Sequence, residues 1–369
     1  MRISLYLSPR QRAPEHQLPL LNACTDMALE ADRRGFAGID LTEHHLSTHN
    51  PFQNSLLYAA SLAPRLTQAH IVLATIVPAI HQPLRLVESC NLLDQLLRGR
   101  LVVGLGPGFI DDELRAFGRE PAERAALYQA SLDAMEAVWR FAEGDPPLDF
   151  VVGGQRGWID RPVVPAPYRK PHPILARATS TEATMVAAAR KGWPLLLARW
   201  DPDELAQRLV PYHRALADAG HDPVVVETAR RWTGILKWIH VADTDAEAAA
   251  HVDATVARWF AEVPRGAPHA ARGQGTVAEQ PTPEAASTYR PGAIRDPAVF
   301  RRGVICGSPS TVACELQRYA ESGVGQVMGQ FLRDVDEIPE ALRSFRLFCD
   351  EVLPRFSVAD GGGNTSRLV

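Results

Sequence analysis

Three adjacent residues, Glu43, His44 and His45, carry the densest potential chemistry in the chain. An imidazole titrates near neutrality, so a histidine beside a carboxylate can accept, hold or return a proton. Three readings compete. A metal centre needs three or four ligands converging on one point, and two neighbouring histidines in a loop rarely aim at the same ion. A structural role would satisfy all three side chains within the fold. The third reading, which the residue types favour, is hydrogen bonding or proton exchange between at least one imidazole and a bound cofactor or substrate.

Two other stretches could hold an anion. Arg177-Ala178-Thr179-Ser180-Thr181 precedes a helical pattern, where backbone N–H groups, hydroxyls and a guanidinium suit a phosphate. Thr179 and Glu182 also have the spacing of a capping box, which would explain the segment by helix capping alone. Gly307-Ser308-Pro309-Ser310-Thr311 is a rival phosphate seat. Gly104-Leu105-Gly106-Pro107-Gly108 does not have the Gly-x-Gly-x-x-Gly spacing of a dinucleotide loop; its glycines would let a flat ligand approach the backbone.

Groups so far apart in sequence need a scaffold that gathers loops, and the periodicity supplies one. Short apolar runs at 3–7, 38–41, 71–77, 101–105, 174–176, 195–197, 235–241 and 324–328 are each followed by apolar residues three or four apart. Eight strand–helix alternations predict a (β/α)8 TIM barrel, with an open doubly wound sheet as the alternative. Each candidate group then follows a strand, on the face where barrel enzymes work. Residues 1–355 are read as this single barrel. Residues 145–173, with seven prolines, are read as an insertion holding one hairpin. Residues 264–297, with six prolines and four glycines, are read as a long mobile lid loop, and 356–369 as a flexible tail.

Composition narrows the partners. The 369 residues are 46% apolar and 22% charged, which excludes a disordered chain. With 36 arginines and 3 lysines scattered against a net charge of −4, no broad basic face awaits nucleic acid. No apolar run reaches the ~18 residues that cross a bilayer, so a cytoplasmic protein without a membrane partner is expected. Five widely spaced cysteines, an odd number, argue against a disulfide framework or zinc cluster. A small-molecule partner remains.

The runs 35–45, 83–100 and 113–118, continuing through 176–181 and the Gly307-Ser308-Pro309 helix start, resemble the bacterial luciferase-like flavin monooxygenases over roughly residues 1–350. The pairing of Glu43-His44-His45 with Leu93-Asp94-Gln95 and Gly99-Arg100 is the specific part of the likeness. The resemblance implies a β/α barrel that takes reduced FMN from a separate flavin reductase. With dioxygen it forms a flavin 4a-hydroperoxide and oxygenates a fairly apolar organic substrate, such as an aldehyde, a ketone or a secondary-metabolite intermediate. By the same resemblance His44, with His45 and Glu43 beside it, is the catalytic group, and Glu113 is a carboxylate near the flavin. Ala74-Thr75 falls at a non-prolyl cis peptide under the ring. Ala178, Thr179 and Thr181 lie at the FMN phosphate, and Phe109, Trp200 and Trp259 line the cavity. Gly106 stands where luciferase has a reactive cysteine, which speaks against light emission. Pro107 replaces an arginine and Arg177 a glutamate, so the phosphate's cationic partner is expected at Arg177. A homodimer is implied, and no metal. Alternatives are a deazaflavin-dependent hydride-transfer enzyme, a non-catalytic flavin-binding relative and a metal-dependent hydrolase.

Overall fold

Strand and helix alternate because apolar residues recur every second position in the strands and every third or fourth in the helices. The computed structural model describes residues 1–47, 50–262 and 300–356. In chain order the elements are β1 (Arg2–Leu7), α1 (Gln17–Arg34), β2 (Gly38–Leu41), α2 (Ser55–Leu62), β3 (His70–Ile76), α3 (Pro83–Leu96) and β4 (Leu101–Leu105). Then come α4 (Asp111–Ala116), α5 (Arg124–Arg140), β5 (Leu148–Val152), β6 (Gln155–Ile159), β7 (Ile174–Ala178), α6 (Glu182–Arg190), β8 (Leu195–Ala198), α7 (Pro202–Asp218) and α8 (Pro223–Trp232). The last are β9 (Gly234–Val241), α9 (Asp245–Glu262), β10 (Val304–Gly307), α10 (Pro309–Glu321), β11 (Gln326–Gln330) and α11 (Ile338–Leu347). The expected lid and all but the first residue of the expected tail lie outside the described residues.

Eight parallel strands close in the order β1-β2-β3-β4-β7-β8-β9-β11, with β11 returning to β1. This closed barrel is the expected fold, and the eight expected runs are its eight strands. Alternate residues build two layers. Val72, Val102, Ile174, Ala176, Leu196 and Met328 fill the lumen, while Leu5, Ile39, Leu73, Val103 and Ile235 pack outward against the helices.

The structure adds elements that the periodicity did not reveal. β10 is a ninth strand outside the ring: β9 pairs with β11 over Gly234–Trp238 and with β10 over Trp238–Val241. Its four residues abut the Ser308-Pro309 helix start and carry too little pattern to read alone. α8 delivers Trp232 to the amino end of the lumen, where it meets His70 at 4.5 Å and lies under the Arg2 guanidinium. The short α4 carries Glu113.

The 145–173 insertion does hold a hairpin, β5–β6, turned by Gly153 and Gly154 at φ 53° and 77°. Two consecutive positive φ values match the tight turn that suits twisted strands. Phe150, Val152 and Ile159 pack it into the helical layer, and Arg119 ties Gly153 to Ala79 by donating to both carbonyls. No helix of the described residues is long and apolar enough to cross a membrane, and all five cysteines are free.

One polar group sits deep in the lumen. Asp40 is wholly buried; the Ser4 hydroxyl donates to its Oδ2, Gln326 Nε2 donates to Ser4 Oγ at 2.7 Å, and Oδ1 has no hydrogen-bond partner. Burial pushes its acid up to about 8, so the folded protein holds a proton that the unfolded chain releases near pH 4. The native state binds more protons across that interval, so this group's contribution to stability falls as pH rises from 4 to 8. Asp40→Asn keeps the shape without the charge. Its melting temperature should exceed the wild type's by a margin that grows between pH 5 and pH 8; a margin independent of pH would show an ionised Asp40.

Candidate active site

β2 ends at Leu41, and the next residues turn over the carboxyl rim of the barrel. Glu43 is nearly inaccessible to water, at 4% exposure. Its Oε2 accepts the Val77 N–H at 2.7 Å, and its Oε1 accepts from His81 Nε2 at 2.8 Å with His45 Nε2 at 3.5 Å. Burial alone would raise its pKa. The contacts from His45 and His81 and the Val77 amide outweigh that and hold the carboxyl at about 2. Glu43 is therefore a permanent anion joining the loop after β2 to the loop after β3, and a positioning residue rather than a proton carrier near neutrality.

Glu113 orients the two histidines. Its Oε1 accepts the His45 backbone N–H at 2.9 Å and the His44 Nδ1–H at 3.2 Å. A carboxylate can only accept, so the hydrogen of this contact lies on Nδ1. Phe109 stands edge-on to His44 with centroids 5.8 Å apart, and Phe117 edge-on to His45 at 4.7 Å.

Beside them the wall is built from small residues. Ala74-Thr75 is a cis peptide within β3, where the register with β4 shifts between Leu73 and Ile76. A methyl group on Gly106 would stand 2.8 Å from Thr75 Oγ1 and 3.7 Å from Ala178 Cβ. The missing side chain thus lets Thr75 pack against Gly106, and Thr75, Gly106 and Ala178 form a floor of small residues. A flat ring fits such a floor, as a bulkier residue there would fill it.

The expected phosphate seat differs in detail from the sequence reading. Arg177 and Ala178 lie inside β7, not after it. α6 begins at Glu182 with Thr181 as its cap residue, so Glu182 is the first helical residue and the Thr179–Glu182 capping box does not form. The hydroxyls of Thr179 and Thr181 instead both meet Thr184 Oγ1, the latter at 2.7 Å, and no side chain caps the helix. Arg177 points out of the lumen; its guanidinium lies 4.0 Å from the Tyr128 ring centroid, and its buried Nη1 has no hydrogen-bond partner. An uncapped helix start, clustered hydroxyls and an unsatisfied guanidinium donor fit a phosphate. At the rival seat the Ser308 N–H donates to Asp245 Oδ1 at 2.7 Å, so a carboxylate already takes the anion's place.

The two expected cavity tryptophans part company. Trp200 is 3% exposed and packs in the layer between strands and helices, with the Arg208 guanidinium 4.7 Å from its ring; it fills the core instead of lining a cavity. Trp259 lies beside a small cavity between α9 and the segment after β11. Among the described residues, His240, His251 and Glu340 bring three ligating atoms together, away from Glu43. The two rings are stacked 4.1 Å apart and within 10° of parallel, so no one point lies in both ring planes, as shared coordination requires. Sequence reasoning missed His81, Tyr128 and Thr184. His81 immediately precedes the Gln82-Pro83 helix start, a strand-end position of the kind that singled out His44. Tyr128 and Thr184 carry no such signal.

Barrels with polar groups gathered on the carboxyl rim form a broad class of enzymes. Residues 1–326 match the family described as luciferase-like monooxygenase, and the chain belongs to that family, whose members are flavin-dependent monooxygenases. Limonene 1,2-monooxygenase of Rhodococcus erythropolis is 23% identical over 360 residues, 95% of this chain and 86% of that one. The matched spans take in between about half and 86% of the lengths of the first curated relatives. Among solved structures, the monooxygenase RslO1 of Streptomyces bottropensis superposes with a TM-score of 0.78 at 21% identity, covering 97% of this chain and all of that one. The oxygenating constituent of 3,6-diketocamphane monooxygenase from Pseudomonas putida, in complex with FMN, gives 0.73 at 18%, covering 96% and 98%. An F420-dependent secondary alcohol dehydrogenase gives 0.66 at 16%, covering 95% and 98%.

Replacing Glu43 removes the anion on which Val77, His81 and His45 converge. Glu43→Gln should cost about 3 kcal/mol, the scale of breaking a buried ion pair, and lower the melting temperature by several degrees at pH 7. The folded carboxyl titrates lower than the unfolded one, so its stabilisation is complete above about pH 4.5 and fades toward pH 2. Wild type and variant should therefore converge in thermal melts on acidification.

Proposed function

We propose that this chain is the oxygenating half of a two-component system: it takes reduced FMN from a separate flavin reductase and, with dioxygen, oxygenates a small organic molecule. The Glu113 carboxylate carries this reading, because it fixes the orientation and tautomer of His44 on the barrel rim. Next to it, the floor of Thr75, Gly106 and Ala178 would receive the ring, and Arg177, Thr179, Thr181 and the start of α6 would hold the phosphate.

Bound reduced FMN supplies dioxygen activation and delivery of one oxygen atom. The chain's own groups do the rest. Glu113 holds the His44 Nδ1–H and so sets the imidazole's orientation for proton exchange with a bound molecule. Glu43 keeps the two rim loops in register. The rings of Phe109 and Phe117 shield the imidazoles from bulk water, which a reactive oxygenating site must exclude. Leu57 on α2, with Leu92 and Leu96 on α3, is exposed and supports a homodimer through these early helices. A second reading keeps the barrel but uses a reduced deazaflavin for hydride transfer, which the likeness to the F420-dependent dehydrogenase supports.

The test is equilibrium binding of reduced FMN and reduced F420, followed by oxygen uptake with a panel of aldehydes and cyclic ketones. FMN should bind at least tenfold more tightly, and oxygen uptake should yield product. His44→Ala should bind FMN within a few-fold of wild type while product formation falls ~100-fold or more, the scale of losing a general acid–base. Tighter F420 binding with no oxygen-linked product would establish the second reading.

A further inference from the structure

Away from the phosphate seat, the segments after β1 and β11 bring arginines together, and Arg199 joins them from the strand next to β7. Arg10 is three residues beyond β1, Arg333 three beyond β11, and Arg199 directly follows β8. The Arg333 guanidinium lies among three aromatic rings, 4.8 Å from the centroids of Trp238 and Phe300 and 5.3 Å from that of Trp259. Arg10 shares the last of these rings, its guanidinium 4.6 Å from the Trp259 centroid.

The nearby carboxylates are already engaged. Asp334 accepts from Arg10 at 3.1 Å and from Arg12 at 2.9 Å, and Glu337 accepts from Arg258 at 2.6 Å and from Thr255 at 2.7 Å. Arg333 forms an ion pair with neither, and its buried Nε has no hydrogen-bond partner. Burial, together with the positive charges of Arg199 and Arg10, pushes its pKa down to about 10. A half-buried guanidinium with its Nε donor unsatisfied is costly, and an anion reaching the group would offset part of that cost. Trp238 and Phe300 are core residues that hold the guanidinium in place, and Trp259, half-buried beside the cavity, would add contact area for a flat ligand body.

We propose that Arg333 binds an anionic oxygen of the substrate, a carboxylate or an ionised phenol or enol, borne on a flat cyclic body that meets Trp259, the half-buried ring beside the cavity. β11, β1 and β2 are consecutive in the barrel, so the strands that lead to Arg333 and to the His44 loop are two strand spacings apart, ~10 Å. A molecule of two or three fused rings spans that distance, with its acidic group on Arg333 and its reacting carbon toward His44. This deepens the proposed function and rests on it for the position of the reacting end; the anion site itself does not.

The test uses the full chain without flavin and 2-naphthoate as the probe, with its methyl ester as the uncharged control. Binding is read by calorimetry and by tryptophan fluorescence. Naphthoate should bind at least tenfold more tightly than the ester. Arg333→Gln should abolish that preference while leaving FMN affinity and ester binding within twofold, and Arg333→Lys should recover part of it. Equal binding of acid and ester to the wild type would overturn the proposal without recourse to any variant. So would a preference that survives Arg333→Gln, or one that inorganic phosphate removes at the concentration that displaces FMN. A retained acid preference in a protein that binds neither FMN nor F420 would refute the flavin reading and leave the anion site standing.

Discussion

An ionised carboxylate almost sealed from water sets the geometry of the rim. Glu43 follows β2, and the groups that stabilise its charge come from the loop after β3 and from its own loop. Satisfying that charge fixes the distance between the two loops, because a buried anion without its donors would be worth several kcal/mol of instability. The position of His44, one residue on, follows from this constraint. Glu113 then adds the ring's rotation and tautomer from a third loop, so each degree of freedom of the imidazole is tied to a different carboxylate.

The barrel itself was legible because its pattern is redundant. Eight apolar runs each repeat the same information, and a misplaced end changes little: Arg177 and Ala178 proved to be strand, not loop, without disturbing the order. β10 and α8 were not legible for opposite reasons. β10 is four residues long and merges with the following helix start, whereas α8 is an amphipathic segment whose only deeply informative residue, Trp232, acts at its end by plugging the lumen. Neither belongs to the repeating unit that the periodicity exposes.

The site was legible to the extent that its residues adjoin strand ends. Glu43, His44 and His45 stand out on that ground, and their roles still diverge in ways that residue type does not disclose. Glu43, read as catalytic, is held ionised as an anchor. Trp200 lies two residues beyond β8 and looks like a cavity residue, yet the Arg208 side chain of α7 covers its ring and the core takes it in. A side chain after a strand can turn either inward or outward, and what decides is the helix packed behind it, which lies elsewhere in sequence. The pairing of Arg177 with Tyr128, across α5, is of the same kind.

The distribution of positive charge gives the rim a direction. One guanidinium, Arg177, stands on the β7 side with hydroxyls and a helix start around it; Arg10 and Arg333 stand on the β1 and β11 side with aromatic rings among them. Hydroxyls and backbone N–H groups suit a compact, strongly hydrated phosphate, whereas a guanidinium bounded by indole and phenyl rings suits a charge attached to an apolar plane. The small-residue floor and the carboxylate-held histidine lie between the two. A cofactor anchored from one side and a substrate anchored from the other would therefore meet at His44, and neither anchor would compete for the other's ligand, because they differ in what surrounds the charge and not in its sign.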